Sequence, residues 1–166
     1  VFSAEFGGAT IAFLWPNLKG GFGSLVAAGN IDDIKAEIGD AGVAYNGTGR
    51  FYVVEYAGSA SGDVDYATEG VTAEGIMPLY QRCVHLGCRV PYCGSSQWFE
   101  CPCHGSKYNG AGEYKLGPAP RGMDRFTREI TDGNVSVDTS EVILGPPRRT
   151  DTVDQPPQGP FCVATG

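Results

Sequence analysis

Two short boxes constrain what this chain can fold into more than anything else in it: Cys83-Val84-His85-Leu86-Gly87-Cys88 and Cys101-Pro102-Cys103-His104-Gly105-Ser106-Lys107-Tyr108. Four of the six cysteines and both histidines fall inside them. Histidines serving a packed core or a solvated surface would scatter along 166 residues, and here none stands outside the boxes. Whatever fold the chain adopts has to carry these two segments as loops and bring them together.

The donor set then has to be matched to a chemistry. Each box offers a soft thiolate and an imidazole, Cys83 with His85 and Cys101 with His104. A two-iron, two-sulfide cluster with mixed ligation needs that split, because one iron keeps its cysteines while the other takes histidines. Two neutral imidazoles in place of two thiolates leave the reduced cluster less negative, which raises its potential. Structural zinc is the rival reading, but zinc sites draw ligands in C-x₂₋₄-C and H-x₃₋₅-H pairs. Covalent haem attachment needs Cys-x-x-Cys-His, and Cys101-Pro102-Cys103-His104 is one residue short of it. A plain disulfide scaffold leaves both histidines unexplained. The iron–sulfur reading leads.

The rest of the chain reads as a β protein. Glycine (25) and proline (11) punctuate short apolar runs, the pattern of many strands joined by turns. Strands are expected at Ser24–Ala28, Phe51–Tyr56 and Ile76–Gln81, the last delivering the chain to Cys83. Ile31, Ile34 and Ile38 share one helical face behind Asn30 as N-cap. Asp132-Gly133-Asn134 between Arg125–Ile130 and Val135–Val137 is a hairpin signal. Gly58–Gly70 is polar and acidic, a surface loop, and residues from about 145 onward have the composition of an extended Pro-rich tail. Residues 1–23 read as the end of an N-terminal membrane anchor followed by a flexible Gly-rich hinge. Trp15 and Lys19 suit a membrane–water boundary, and the apolar run is too short to span a bilayer by itself. Residues 24–166 form the remaining domain. The formal charge of −7 and pI near 4.7 argue against nucleic acid as a partner, since phosphate binding needs a basic surface.

The two boxes closely resemble the Rieske 2Fe–2S subunit of cytochrome bc-type quinol oxidoreductases. The resemblance covers Gln81 to Arg121 and includes Gly117-Pro118-Ala119-Pro120, similar to that family's proline loop beside the cluster. It implies an all-β Rieske fold, an antiparallel base with a smaller cluster-binding insert at about 81–122. It implies that Cys83 and Cys101 bind one iron, that His85 and His104 bind the outer one, and that Cys88 and Cys103 form a disulfide tying the loops. Ser106 and Tyr108 take the places of the residues that hydrogen-bond to cluster sulfur, and Leu86 that of an apolar shield. A persistent bridge implies an oxidising compartment, in which the leftover pair Cys93 and Cys162 forms a second disulfide pinning the tail.

The function implied is electron transfer within a quinol:cytochrome c oxidoreductase, with His85 and His104 at the reacting end. The implied partners are quinol, a cytochrome b-type subunit and a c-type cytochrome, with a membrane anchor and the soluble head on the outer side. The small subunit of an arsenite oxidase-like molybdoenzyme is the alternative. Oxygenase-type ferredoxins generally lack the bridge cysteines, so Cys88 and Cys103 count against that class.

Overall fold

The computed structural model describes residues 21–61 and 63–164. Strand β1 (Leu25–Asn30) leads directly into helix α1 (Ile31–Ala41). Asn30 ends one and starts the other: its side-chain oxygen accepts the Asp32 N–H at 2.9 Å, satisfying a donor the helix cannot pair internally. Asp32 and Asp33 occupy the first turn, where the helix dipole favours negative charge. Ile34 and Ile38 are buried, so the helix is held by one apolar face.

After α1 come β2 (Ala44–Asn46), β3 (Phe51–Glu55) and β4 (Ile76–Tyr80). Four short strands follow, β5 (Tyr92–Cys93), β6 (Trp98–Glu100), β7 (Lys107–Tyr108) and β8 (Tyr114–Leu116), and then β9 (Arg125–Thr131) and β10 (Asn134–Ile143). They form a six-stranded sheet in the order β1-β10-β9-β4-β3-β2 and a four-stranded sheet β5-β6-β7-β8, with antiparallel neighbours throughout. The fold is all-β. The small sheet is an excursion between β4 and β9, which touch in register only at Leu79 and Arg125. Asp132 and Gly133, with φ of 51° and 76°, make the two-residue turn between β9 and β10, the type I′ geometry that suits strand twist.

Alternation along β3 feeds two cores. Phe51 and Val53 face the helix side with Ile34, Ile38, Phe126, Val135 and Val137. Tyr52 and Val54 face the other side, with Met77, Leu79, Phe99, Tyr108 and Met123. Cys83 and Cys101 belong to this second core. The roots of both boxes are therefore fixed by packing between the sheets.

Buried polar groups tie the insert to the base. Arg125 is fully buried; it donates to the Met123 and Ala111 carbonyls at 2.8 and 2.9 Å and lies over the Tyr66 ring. Glu113, also fully buried, accepts from Tyr66, Asn109 and Thr152 at 3.0, 2.9 and 2.6 Å.

The anchor and most of the expected hinge, residues 1–20 with Trp15 and Lys19, lie outside the described residues. Phe22, at the end of that hinge, stacks on Tyr80 with ring centroids 5.3 Å apart. Among the described residues no helix is long and apolar enough to cross a membrane.

Candidate metal centre

The two boxes fold into loops of one design. In the first, the Cys83 N–H donates to the Cys88 carbonyl at 2.7 Å and the Gly87 N–H to the Cys83 carbonyl at 2.9 Å. In the second, the Cys101 N–H donates to the Ser106 carbonyl at 2.8 Å and the Gly105 N–H to the Cys101 carbonyl at 3.1 Å. Gly87 and Gly105 hold equivalent places with φ of 87° and 73°, a left-handed turn that residues with a Cβ resist. This explains why each box carries a glycine four residues after its first cysteine.

The loops sort their donors by depth. Cys83 and Cys101, at the roots, are 3 % and 1 % exposed and unbridged. His85 is half-buried and His104 exposed, with ring centroids 4.9 Å apart and ring planes nearly perpendicular. Each buried thiol thus precedes, by two or three residues in its loop, one of two paired imidazoles nearer the surface. A disulfide joins Cys88 to Cys103 across the loops, and the Cys101 sulfur lies within 4.8 Å of both bridge sulfurs. Leu86, at the tip of the first loop, is 71 % exposed.

One hydroxyl reaches a root sulfur, and a second lies buried in the adjoining loop. The Tyr108 hydroxyl is 3.4 Å from the Cys83 sulfur. Burial, then the neighbouring Cys83, pushes the Tyr108 phenol well above its ordinary range, so it keeps its proton and is available as a donor. Ser106 is fully buried, and its Oγ accepts the Ala119 N–H at 3.1 Å. That contact occupies a lone pair and leaves the hydroxyl proton free for another acceptor. The proline loop lies flush on the second box: a Cβ at Gly117 (φ 92°) would sit 2.6 Å from the Ser106 Cα. Arg148 holds the far side of this loop, donating to the Ala119 carbonyl at 2.8 Å and lying over the Tyr114 ring.

The donor set fits a cationic cluster. Burial, with adjacent Cys83 contributing, pushes the Cys101 thiol up. The Cys101 thiol therefore resists ionising by itself; a metal that binds its thiolate supplies the missing positive charge. His85 and His104, nearer the surface, would add two nitrogens to these two sulfurs. The other four cysteines are all bridged, Cys93 with Cys162 besides Cys88 with Cys103.

One reading needs correction. Lys107 reads in sequence as a solvated lysine of the second box, and in the structure it is fully buried. Its ammonium lies 3.7 Å from Glu100, donates to the Val163 carbonyl at 2.7 Å, and sits over the Phe161 ring. Val163 and Phe161 come from the C-terminal segment, which covers this face of the small sheet, and Glu100 from the neighbouring β6. Alternation along β7 points Lys107 away from the sulfur contact of Tyr108. Arg148, Ala119 and Gly117 were legible only as part of a Pro-rich tail and a proline loop, with no signal that the tail would hold the loop.

Residues 42–127 match the family described as Rieske [2Fe-2S] domain. The cytochrome b6-f complex iron-sulfur subunit of Synechococcus elongatus is 39 % identical over 98 residues, 57 % of this chain and 51 % of that protein. The chloroplastic subunit of the same name from Volvox carteri is 38 % identical over 112 residues, 65 % of this chain and 50 % of its own length. The chain thus spans about half the length of the curated relatives it matches. Among solved structures, the soluble domain of the Rieske protein II from Sulfolobus acidocaldarius aligns with a TM-score of 0.49 at 22 % identity. That alignment covers 85 % of this chain and 87 % of the other.

Proposed function

This chain belongs to the Rieske [2Fe-2S] domain family, and from that premise we propose that Cys83, Cys101, His85 and His104 hold its 2Fe–2S cluster in a quinol:cytochrome c-type oxidoreductase. The sorting of the six cysteines carries the reading: four are bridged, and the two left free are buried, each in the same loop as one of the two paired imidazoles. When bound, the cluster supplies one-electron redox chemistry at high potential. Cys83 and Cys101 anchor its inner side from the core. His85 and His104 present the outer side to solvent, where a ring nitrogen can accept a hydrogen bond from a quinol hydroxyl and take up its proton. Tyr108 and Ser106 direct hydroxyl protons toward sulfur, and the Cys88–Cys103 bridge keeps the two loops in register.

In this reading a cytochrome b-type subunit presents the quinol, a c-type cytochrome takes the electron, and residues preceding the head anchor it to the outer face of a membrane. Support comes from relatives named as subunits of cytochrome b6-f complexes.

The experiment uses the full complex in native membranes. His85→Cys and His104→Cys are expected to abolish the Rieske EPR signal and quinol-dependent cytochrome c reduction together. A parent signal in either variant rejects that ligand. An intact signal without quinol-dependent turnover in the parent complex rejects the quinol assignment and leaves the cluster assignment standing.

A further inference from the structure

Charge is divided unevenly along this acidic chain. Residues 21–80 carry nine acidic and two basic side chains, whereas residues 81–122 carry five basic and two acidic, a net charge of +3 against a whole-chain −7. Both acidic residues of that insert, Glu100 and Glu113, are fully buried. The surface of the insert therefore shows positive charge alone. Lys115 and Arg121 are paired with Asp151 and Asp124. Arg82 and Arg89 are exposed and, among the described residues, have no carboxylate within ion-pair distance.

Backbone pairing brings these two arginines to the base of the first loop. Arg82 and Arg89 pair across an isolated antiparallel bridge. They flank the first loop on both sides, one residue before Cys83 and one after Cys88. The Arg82 guanidinium runs along Gly87, whose Cβ would lie 3.0 Å from Arg82 Nε. Arg89 is held over the Tyr45 ring at 4.8 Å. The loop between them carries the exposed Leu86 and half-buried His85.

We propose that Arg82 and Arg89 form the docking edge for an electron acceptor with an acidic face, which meets the molecule at the His85–Leu86 loop. The inference rests on the electron-transfer reading and names the chemistry of its acceptor. A protein fits better than an anionic membrane, because the charges border the loop through which the electron must leave. A docked acidic acceptor supplies the carboxylates that these two guanidinium groups lack, and Leu86 supplies an apolar contact between them and the partner.

Net charge and local charge make opposite predictions. A −7 molecule repels an acidic acceptor, so added salt should speed their reaction. A local basic edge attracts it at contact, so added salt should slow it. At moderate ionic strength, charges beyond about 10 Å are largely screened, which favours the contact groups.

The test uses cluster-loaded protein and two forms of one acidic c-type cytochrome: native, and with its carboxylates amidated to cationic groups. With the native form, the rate of electron transfer should fall about tenfold between low and high salt; with the amidated form it should not fall. Arg82→Glu with Arg89→Glu should slow the native reaction about tenfold and weaken binding to immobilised native cytochrome in parallel. Arg82→Gln with Arg89→Gln should give an intermediate loss, and it covers the case in which the reversal fails to fold. Asp33→Lys with Glu129→Lys, exposed on the base, should leave the rate at moderate salt unchanged.

A native-form rate that rises with salt, or Arg variants indistinguishable from the parent, overturns the inference while electron transfer stands. Transfer to neither cytochrome form overturns the electron-transfer reading and this inference with it. Loss of binding to phosphatidylglycerol vesicles in the Arg variants, with the cytochrome rate unchanged, overturns it in favour of a lipid surface.

Discussion

Cys83 and Cys101 are ordinary buried side chains by position, and their function lies in what surrounds them. Tyr108 faces the Cys83 sulfur with a hydroxyl that burial keeps protonated. Ser106 has its oxygen engaged by the Ala119 N–H, which leaves its own proton to donate. A hydroxyl donating to cluster sulfur stabilises added negative charge and so raises the midpoint potential. Ser106→Ala and Tyr108→Phe should each lower the midpoint by tens of millivolts, where about 60 mV is tenfold for one electron. Cluster content, read from the visible spectrum, should stay at the parent level, because neither change alters packing volume much. An unchanged midpoint in both variants would reduce these residues to loop polarity. The ligand candidates and both hydroxyls were legible in sequence because unusual residue types sat at tight spacing. Lys107 was not, because nothing within the second box announces that the chain's last residues will fold over it.

At the scale of elements, the helix, the hairpin and the long strands could be anticipated, since each carries a local signal. Asn30 caps α1, and Asp132-Gly133 makes the turn it spells. The strands of the small sheet span two or three residues each, too few for alternation to register, so only the resemblance implied a cluster-binding insert there, without its strand order. The proline loop is similar: its sequence marks a turn, but only the packing shows that it presses on Ser106. Gly117→Ala tests that contact. Its Cβ would strike backbone atoms of Ser106, which cannot swing aside, and φ is in the region that opposes a side chain. The loop should lift, the Ala119–Ser106 hydrogen bond should break, and the midpoint should fall as in Ser106→Ala although the hydroxyl remains. Gly94→Ala, with open space around it, should leave both melting temperature and midpoint unchanged. Gly117→Ala with the parent midpoint would show that the loop does not position Ser106.

Across the whole molecule, the C-terminal segment is the part least visible from local sequence and most consequential for stability. It contributes no regular strand, yet Gln155 accepts the Trp98 indole N–H through its carbonyl, and Val163 bonds both members of the buried Lys107–Glu100 pair. Glu100 also accepts from Ser96 at 2.6 Å, so the pair is fully bonded only while the segment stays in place. A buried ion pair stripped of its partners is strongly destabilising. The Cys93–Cys162 bridge closes a loop of 69 residues and holds that segment down. In the chain-entropy account, a loop of this size contributes roughly 4 kcal/mol. For a domain of this length, that corresponds to a loss in melting temperature on the order of 10 °C when the bridge is removed. Cys93→Ala with Cys162→Ala should show such a loss by calorimetry of the cluster-loaded protein. Its midpoint should hold near the parent value, since Lys107 and Tyr108 point to opposite faces of β7 and only Tyr108 meets the sulfur. A midpoint shift as large as that of Tyr108→Phe would mean that the covering segment tunes the centre as well as the fold. An unchanged melting temperature would mean that the hydrogen bonds to Glu100 and Lys107 hold the segment without the bridge.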